Sequence, residues 1–391
     1  MLSSFETPKG TKVAFGNQRI KSIGQDVKNI SGDTKAVVVT DPGVIEVGLA
    51  DVVLKALKNE GIEVKLFDNV QSDPTSKSVD EAAAIIKASG TKCVIGLGGG
   101  SPMDVAKLAS VIAGGNEPAE HYELCKNPFP EKIVKYIAIP TTSGTGSEVT
   151  RSGIMTNSAG HKVWLWDEEK TAAELAILEP GFTVALPPHL TAATGMDALV
   201  HAIEACISKY SNPVIQAMGL HSIRMIAGNL EKVVAKPNDL ESRGNMAIAS
   251  TLAGMAFNQA GTCLAHSIGH ALGSLGHIHH GRAVAISLNV IYAFNVKAAV
   301  SIHAGIARAL GIKDAGQDEK ELAMAGAGEF DRLAKVTGIN VSLSDDGLTE
   351  TDCDKFVELI LAPENKPMRE TNPYWATNED LRKFALEILK Q

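Results

Sequence analysis

No run of about 18 apolar residues occurs anywhere in this chain, so the sequence alone points to no membrane-spanning helix. The opening stretch MLSSFETPKGTKVAFG has no apolar h-region of the kind that marks an export signal. An excess of positive charge is lacking too. Lys and Arg number 37 against 45 Asp and Glu, a formal charge of −8, which argues against nucleic acid or an anionic membrane as partner. Blocks of like charge, internal repeats and low-complexity segments are absent. The five cysteines, Cys93, Cys125, Cys206, Cys263 and Cys353, are widely spaced, odd in number and contain no C-x-x-C pair. That usage fits reduced thiols in a cytoplasmic protein better than a disulfide framework. What is present is ordinary globular material: 45% apolar and 21% charged residues over 391 positions, enough for two or three domains with a sizeable core.

Strand and helix signals alternate through the first half. KAVVVTD (35–41) reads as a buried strand, and GVIEVGLADVVLKALKNEG as one helix ending at Gly61. IEVKLFD, KCVIGLG and VKYIAIP read as further strands, separated by the helical segments VDEAAAIIKAS and PMDVAKLASVIAG. Strands joined by helices of ten or more residues imply parallel pairing. After LPPHL (186–190) the pattern turns helical and Ala-rich over 191–235, 240–274, 283–310, 318–337 and 378–390. The expected architecture is an α/β domain with a mostly parallel sheet over 1–187 and an all-helical domain over 188–391.

IGLGGGSPMD (95–104) leaves a strand and opens a helix. Three successive glycines let backbone N–H groups approach an anion, and a helix N-terminus adds partial positive charge. Ser101 is the expected helix cap and Pro102 suits the first turn. A diphosphate cradle and a plain tight turn are both consistent with this stretch. The G-x-G-x-x-G fingerprint fails, because Ser101 stands where the last glycine is needed, and the candidate acid ends an earlier strand rather than standing about 20 residues downstream, after the next strand. Asp41, at the end of an earlier strand, is the candidate ribose acid and would favour NAD over NADP; an Asp-Pro-Gly turn explains it equally well. A second loop, IPTTSGTGSEVT (139–150), also follows a strand and offers hydroxyls to a dinucleotide at strand carboxyl ends.

LAHSIGHALGSLGHIHHGR (264–282) holds five of the eleven histidines. His266 and His270 stand four apart on a helix, and His277, His279 and His280 follow. TGMDALVHAIEAC (194–206) places Asp197 and His201 one turn apart, a ligand pair or an ordinary i, i+4 hydrogen bond. Together the two segments could build a site for zinc, iron, copper or nickel; the spacing is not H-E-x-x-H, and it does not settle which histidines ligate.

GGGSPMD, IPTTSGTGSEVT, LPPHLTAATGMDALVHAIEA and LAHSIGHALG followed by HHG, in that order, resemble the iron-containing, or group III, alcohol dehydrogenases over nearly the whole chain. The resemblance implies the dehydroquinate synthase-like fold of that family, a dinucleotide-binding domain followed by a metal-binding helical domain. It implies Asp197, His201, His266 and His280 as metal ligands and His270 as a proton-relay residue. It implies a cofactor site of Asp41, Gly98, Gly99, Gly100, Ser101, Asp104, Thr141, Thr142, Thr145, Ser147 and Lys162. The implied cofactors are Fe2+, with Zn2+ as alternative, and NAD, with NADP use open. The implied reaction is reversible hydride transfer between a small primary alcohol or aldehyde and NAD(H), and the implied assembly is a homodimer or larger homo-oligomer. Ala271, Thr262 and Tyr374 depart from the family's usual Pro, smaller residue and Arg.

Two other readings stand beside this one. The first is a zinc-dependent polyol dehydrogenase or non-redox lyase of the same superfold; the second is a non-enzymatic metal- or nucleotide-binding protein. Trp164, Trp166, Phe257, Cys263 and Arg151 are candidates for a substrate pocket, with core packing as the alternative for the first four and a surface ion pair for Arg151.

Overall fold

A computed structural model describes residues 4–7 and 9–391. Among the described residues the chain divides into two compact units, one of residues 9–185 and the other of residues 4–7 together with Leu186–Gln391. The first is built on a six-stranded parallel sheet of β1 (Lys12–Phe15), β2 (Lys35–Val39), β3 (Glu63–Phe67), β4 (Cys93–Gly98), β5 (Lys135–Pro140) and β8 (Leu175–Leu178), ordered β1-β8-β5-β4-β2-β3. A separate antiparallel hairpin pairs β6 (Gly153–Thr156) with β7 (Lys162–Leu165). The helices of this unit are α1 (Ile23–Ser31), α2 (Pro42–Glu46), α3 (Leu49–Asn59), α4 (Ser76–Ser89) and α5 (Gly100–Ile112).

The central strands are apolar on both faces because both are covered. Val37, Val39 and Val94 belong to one hydrophobic cluster, and Ala36, Val38, Ile95 and Leu97 to another. From β2 the chain runs outward to β3 and returns to β4 on the other side of β2. The carboxyl ends of β2 and β4 therefore flank a switch point, the place where open α/β sheets take ligands.

The second unit is helical: α6 (Pro188–Ile207), α7 (Pro213–Ala235), α8 (Leu240–Ala260), α9 (Leu264–Gly276), α10 (His280–Val296), α11 (Val300–Ala309), α12 (Glu319–Val336), α13 (Cys353–Leu361), α14 (Lys366–Thr371) and α15 (Asn378–Leu389). Helix α6 is its axis, buried from Thr191 to Ile207. By length and hydropathy α6 would qualify as a membrane span, but 94% of its apolar window is buried within the protein. A helix apolar all round is what the centre of a helical domain requires.

Several long helical runs in the sequence are broken in the structure. The 191–235 run splits where Asn212 caps α7, accepting from the N–H groups of Val214 and Ile215, with Pro213 in the first turn. The 240–274 run breaks at Gly261, whose φ of +71° ends α8. The 283–310 run divides into α10 and α11, and Gly48 at φ +78° separates α2 from α3. The four-residue strands β1 and β8 gave too little periodicity to be read in advance.

One close approach fixes α10 against α6. A Cβ on Gly281 would lie 2.2 Å from the carbonyl oxygen of Ala193 and 3.3 Å from Cβ of Asp197. Only glycine lets the first turn of α10 sit there. Gly281→Ala should cost about 1–3 kcal/mol through overpacking against backbone and lower Tm by roughly 2–10 °C. A calorimetric scan that left Tm unmoved would contradict this packing.

Candidate metal centre and dinucleotide site

Asp197, His201 and Glu204 share one stripe of α6, at spacings of four and three residues. His266 lies in the first turn of α9, and His280 is the first residue of α10. Asp197, His201, His266 and His280 each present one donor atom, and the four atoms lie within 4.8 Å of one another. The Nε2 atoms of His201, His266 and His280 stand 3.8, 3.8 and 3.5 Å from Oδ1 of Asp197. These distances are too long for hydrogen bonds. Among the described residues, Oδ1 of Asp197 and Nε2 of His266 are buried with no hydrogen-bond partner. Orphaned buried polar atoms are costly unless something satisfies them. One carboxylate and three imidazoles aimed at a common point fit a divalent cation.

The imidazoles are held by packing as well. His201 is stacked between Phe257, at 4.2 Å between ring centroids, and His266, at 4.5 Å. His266 is oriented from behind by Glu204, a residue that sequence reasoning passed over. Oε2 of Glu204 accepts from Nδ1 of His266 at 2.6 Å and from the N–H of Cys263 at 2.7 Å. Oε1 accepts from the N–H of Ala265 at 2.6 Å. One fully buried carboxylate thus satisfies the start of α9 and assigns the proton of His266 to Nδ1, leaving Nε2 its lone pair. Its signal in the sequence was a lone Glu three residues after His201, in a helix otherwise almost without charge.

Burial dominates the electrostatics. The imidazole of His266 is pushed down to about 3, so it is neutral at pH 7. Asp197 is pushed up to about 8 by burial and by the nearby charge of Glu204. Glu204 is pushed up to about 8 by burial against the pull of its backbone hydrogen bonds. A bound cation reverses this pressure on Asp197.

Of the other histidines, His270 lies half-buried beside the cluster, its ring centroid 5.2 Å from His280 and 6.2 Å from His266. His277 and His279 are exposed and flank the turn between α9 and α10. Cys263 is buried with its Sγ toward the carbonyl oxygen of Glu204, 3.6 Å away.

In the α/β unit, the carboxyl ends of β2, β4 and β5 bring Asp41, the glycine turn and the second loop together. The N–H of Thr141 donates to the carbonyl oxygen of Gly98 at 2.9 Å. Gly98 is left-handed, and a Cβ there would lie 2.7 Å from Pro102 and 2.9 Å from Oδ2 of Asp41. Cβ atoms on Gly99 and Gly100 would stand 3.5 and 3.0 Å from Thr142 and Thr145. Helix α5 begins one residue earlier than the expected cap at Ser101. Its N-cap is Gly99, without a side-chain bond, and the Ser101 hydroxyl donates instead to the carbonyl oxygen of Ser72. The N–H groups of the first turn are therefore free of a side-chain cap, beside the buried, partnerless hydroxyl of Thr142. That arrangement fits an anionic dinucleotide.

Other residues of the implied cofactor site make protein contacts. Asp41 caps α2, Oδ1 accepting from the N–H of Val44 at 3.0 Å, as an Asp-Pro-Gly turn would have it. Asp104 and Ser147 are buried and bonded to each other at 2.6 Å. Lys162 pairs with Asp73 at 2.7 Å. Arg151 pairs with Glu168 at 3.2 Å and lies over the ring of Trp166, which is partly exposed.

Two outcomes test the metal centre. Glu204→Gln keeps the shape but turns an amide N–H2 toward donors, and should weaken divalent-metal affinity about 10–100-fold; unchanged affinity in a competition titration would remove its orienting role. Because the metal-free Asp197 must shed a proton near pH 8 while His266 is already neutral, affinity should rise about tenfold per pH unit from 6 to 8 and then level off. A flat profile would contradict the buried acid.

Residues 10–180 match the family described as iron-containing alcohol dehydrogenase, and residues 191–389 match its C-terminal domain. The chain is 36% identical over 356 residues to 1,3-propanediol dehydrogenase of Klebsiella pneumoniae, covering 90% of this chain and 91% of that one. It is 33% identical over 389 residues to NAD-dependent methanol dehydrogenase of Bacillus methanolicus, covering 99% and 100%. A crystal structure of 1,3-propanediol oxidoreductase superposes with a TM-score of 0.91 at 33% identity, over 99% of this chain and 100% of that one. An α/β unit on a parallel sheet, a helical unit carrying four convergent donors, and matches over both halves place this chain in the iron-containing alcohol dehydrogenase family, as an oxidoreductase of that family.

Proposed function

We propose that this chain interconverts a small primary alcohol and its aldehyde with NAD(H), using a divalent cation held by Asp197, His201, His266 and His280. The observation that carries this reading is the convergence of those four donors, two of them with buried atoms that lack a protein partner. Ferrous iron is the proposed resident ion and zinc the alternative, since three imidazoles and one carboxylate suit both. NAD is proposed ahead of NADP because a carboxylate at Asp41 would repel a 2′-phosphate. A cytoplasmic location is supported by five unpaired cysteines. A homodimer or larger homo-oligomer rests on the family likeness alone.

When bound, the cation supplies Lewis-acid polarisation of the substrate oxygen and the nicotinamide supplies the hydride acceptor. The chain's own part is positional. Asp197 contributes one negative charge from the centre of α6. Glu204 holds the proton of His266 on Nδ1, and Phe257 and His266 clamp the ring of His201 between them. His280 is the most exposed donor, its side chain about a third accessible, so substrate enters from its side. His270, half-buried next to it, is the proposed carrier of the alcohol proton toward water. Asp41, Gly98, Gly99, Gly100, Ser101, Thr141, Thr142 and Thr145 form the proposed dinucleotide cradle, with Lys162 at its edge.

Anaerobically purified protein should contain one divalent ion per chain and oxidise NADH in the presence of small aldehydes, with activity lost on chelation and restored by Fe2+ or Zn2+. His280→Ala should lose at least 100-fold in turnover, in line with removal of a ligand whose supporting groups alone are worth 10–100-fold. Metal content and turnover that survive this substitution would overturn the ligand set. Turnover insensitive to chelator would overturn the metal-dependent reading.

A further inference from the structure

The turn between α8 and α9 leads directly to the donor His266, and its backbone groups are met by side chains from far along the chain. Ser208, at the end of α6, donates from Oγ to the carbonyl oxygen of Ala260 at 2.6 Å. Thr371 donates from Oγ1 to the carbonyl oxygen of Thr262 at 2.5 Å. Glu204 takes the N–H groups of Cys263 and Ala265. Between those two, the N–H of Leu264 donates to Oδ1 of Asn372 at 3.4 Å. The same amide is paired with that of Asn295, in the last turn of α10. Nδ2 of Asn372 donates to Oδ1 of Asn295 at 2.8 Å, and Nδ2 of Asn295 donates back to Oδ1 of Asn372 at 3.2 Å. The second N–H of the Asn372 amide goes to the carbonyl oxygen of Tyr374 at 2.7 Å. Both asparagines are buried. Pro373 helps to set this geometry, because a residue before proline is held extended; Asn372 leaves α14 at φ −61° and ψ 137°.

Two buried amides are a poor route to stability, because an apolar pair of the same shape is often nearly as good. What a fully satisfied polar pair does supply is one defined arrangement. A single buried asparagine sets helix register in coiled coils in this way, at a cost in stability. Here the pair ties together the two helices that carry donors. Asn372 is bonded to the first turn of α9, two residues before His266, and to the last turn of α10, the helix that His280 begins. Toward their connecting turn the same helices meet by close packing: a Cβ on Gly269 would lie 2.6 Å from the side chain of Val284. A slip of one residue moves a helix by about 1.5 Å, whereas metal–donor distances tolerate about 0.2 Å. We propose that Asn372, with Asn295, is a positioning residue of the metal centre: it holds α9 and α10 in the register that lets His266 and His280 reach one cation. The proposal rests on the ligand set proposed above.

The test is Zn2+ affinity, read by competition with a chromogenic chelator, together with the visible spectrum of Co2+-loaded protein, which reports donor geometry rather than stability. Asn372→Ala should weaken Zn2+ binding about 10–100-fold, the range for groups that orient ligands without touching the metal, and should shift the Co2+ bands. Asn295→Ala leaves the bond to Leu264 in place. It should weaken Zn2+ binding about two- to tenfold, and it keeps the test open if Asn372→Ala does not fold. Ser222→Ala is the control, since it deletes a buried hydrogen bond from α7 to the carbonyl oxygen of Ala249 in α8. It should lower Tm and leave both Zn2+ affinity and the Co2+ spectrum at their wild-type values. Folded Asn372→Ala or Asn295→Ala with wild-type affinity and spectrum overturns the positioning role. So does an affinity loss in Ser222→Ala equal to that in Asn372→Ala, because general loosening of the unit would then explain both. Wild-type protein that binds neither ion removes the metal centre itself and the proposal with it; tight binding by wild type and variants alike refutes Asn372 alone.

Discussion

A carboxylate buried without a hydrogen bond on its inward oxygen is the constraint around which the helical unit is arranged. Oδ1 of Asp197 faces three imidazole nitrogens at 3.5–3.8 Å. Such a cluster is unfavourable by itself: burial drives the acid toward its neutral form and empties His266 of charge. A divalent cation held by these donors would offset these penalties. The remaining features follow from keeping the donors convergent. Helix α6 must run through the middle of the unit, α9 must start beside Glu204, and Gly281 must let α10 close on Ala193.

Glu204 links packing to chemistry. The same carboxylate that closes the first turn of α9 also sets the tautomer of a donor imidazole. Helix start and ligand orientation therefore cannot vary separately. The α/β unit uses the same economy in another form. Asp104 and Lys107, about one and two turns beyond the glycine run, hold the loop that packs against it. In both units a buried charged residue holds a neighbouring segment in place.

Much of this was legible in the sequence, for definite reasons. The parallel strands β2, β4 and β5 were readable because both faces of the sheet are covered there, which makes them continuous apolar runs, while the largely exposed edge strand β3 is marked instead by alternating charged and apolar residues. The candidate ligands were readable because imidazole is rare and five histidines fall in nineteen residues; the spacing alone left His266, His270, His277, His279 and His280 undifferentiated, and the family resemblance narrowed them. Glu204 and Lys107 were not legible. Each is one charged residue in a helix, and whether it is a solvated face or a buried tie depends on what the fold lays over it. The start of α5 was misplaced for a similar reason: glycine in place of a capping hydroxyl leaves no local signal, and Ser101 supplied a false one. Helix breaks at Gly261 and Asn212 were hidden inside Ala-rich runs whose propensity favours continuation.

X-ray absorption of the protein loaded with a single divalent metal tests the central claim most directly. The account predicts a first shell of three imidazole nitrogens and one carboxylate oxygen at about 2.0–2.2 Å for zinc, with the imidazole signal reduced by one ring in His266→Ala. A shell containing sulfur, or one with fewer than three imidazoles, would contradict it.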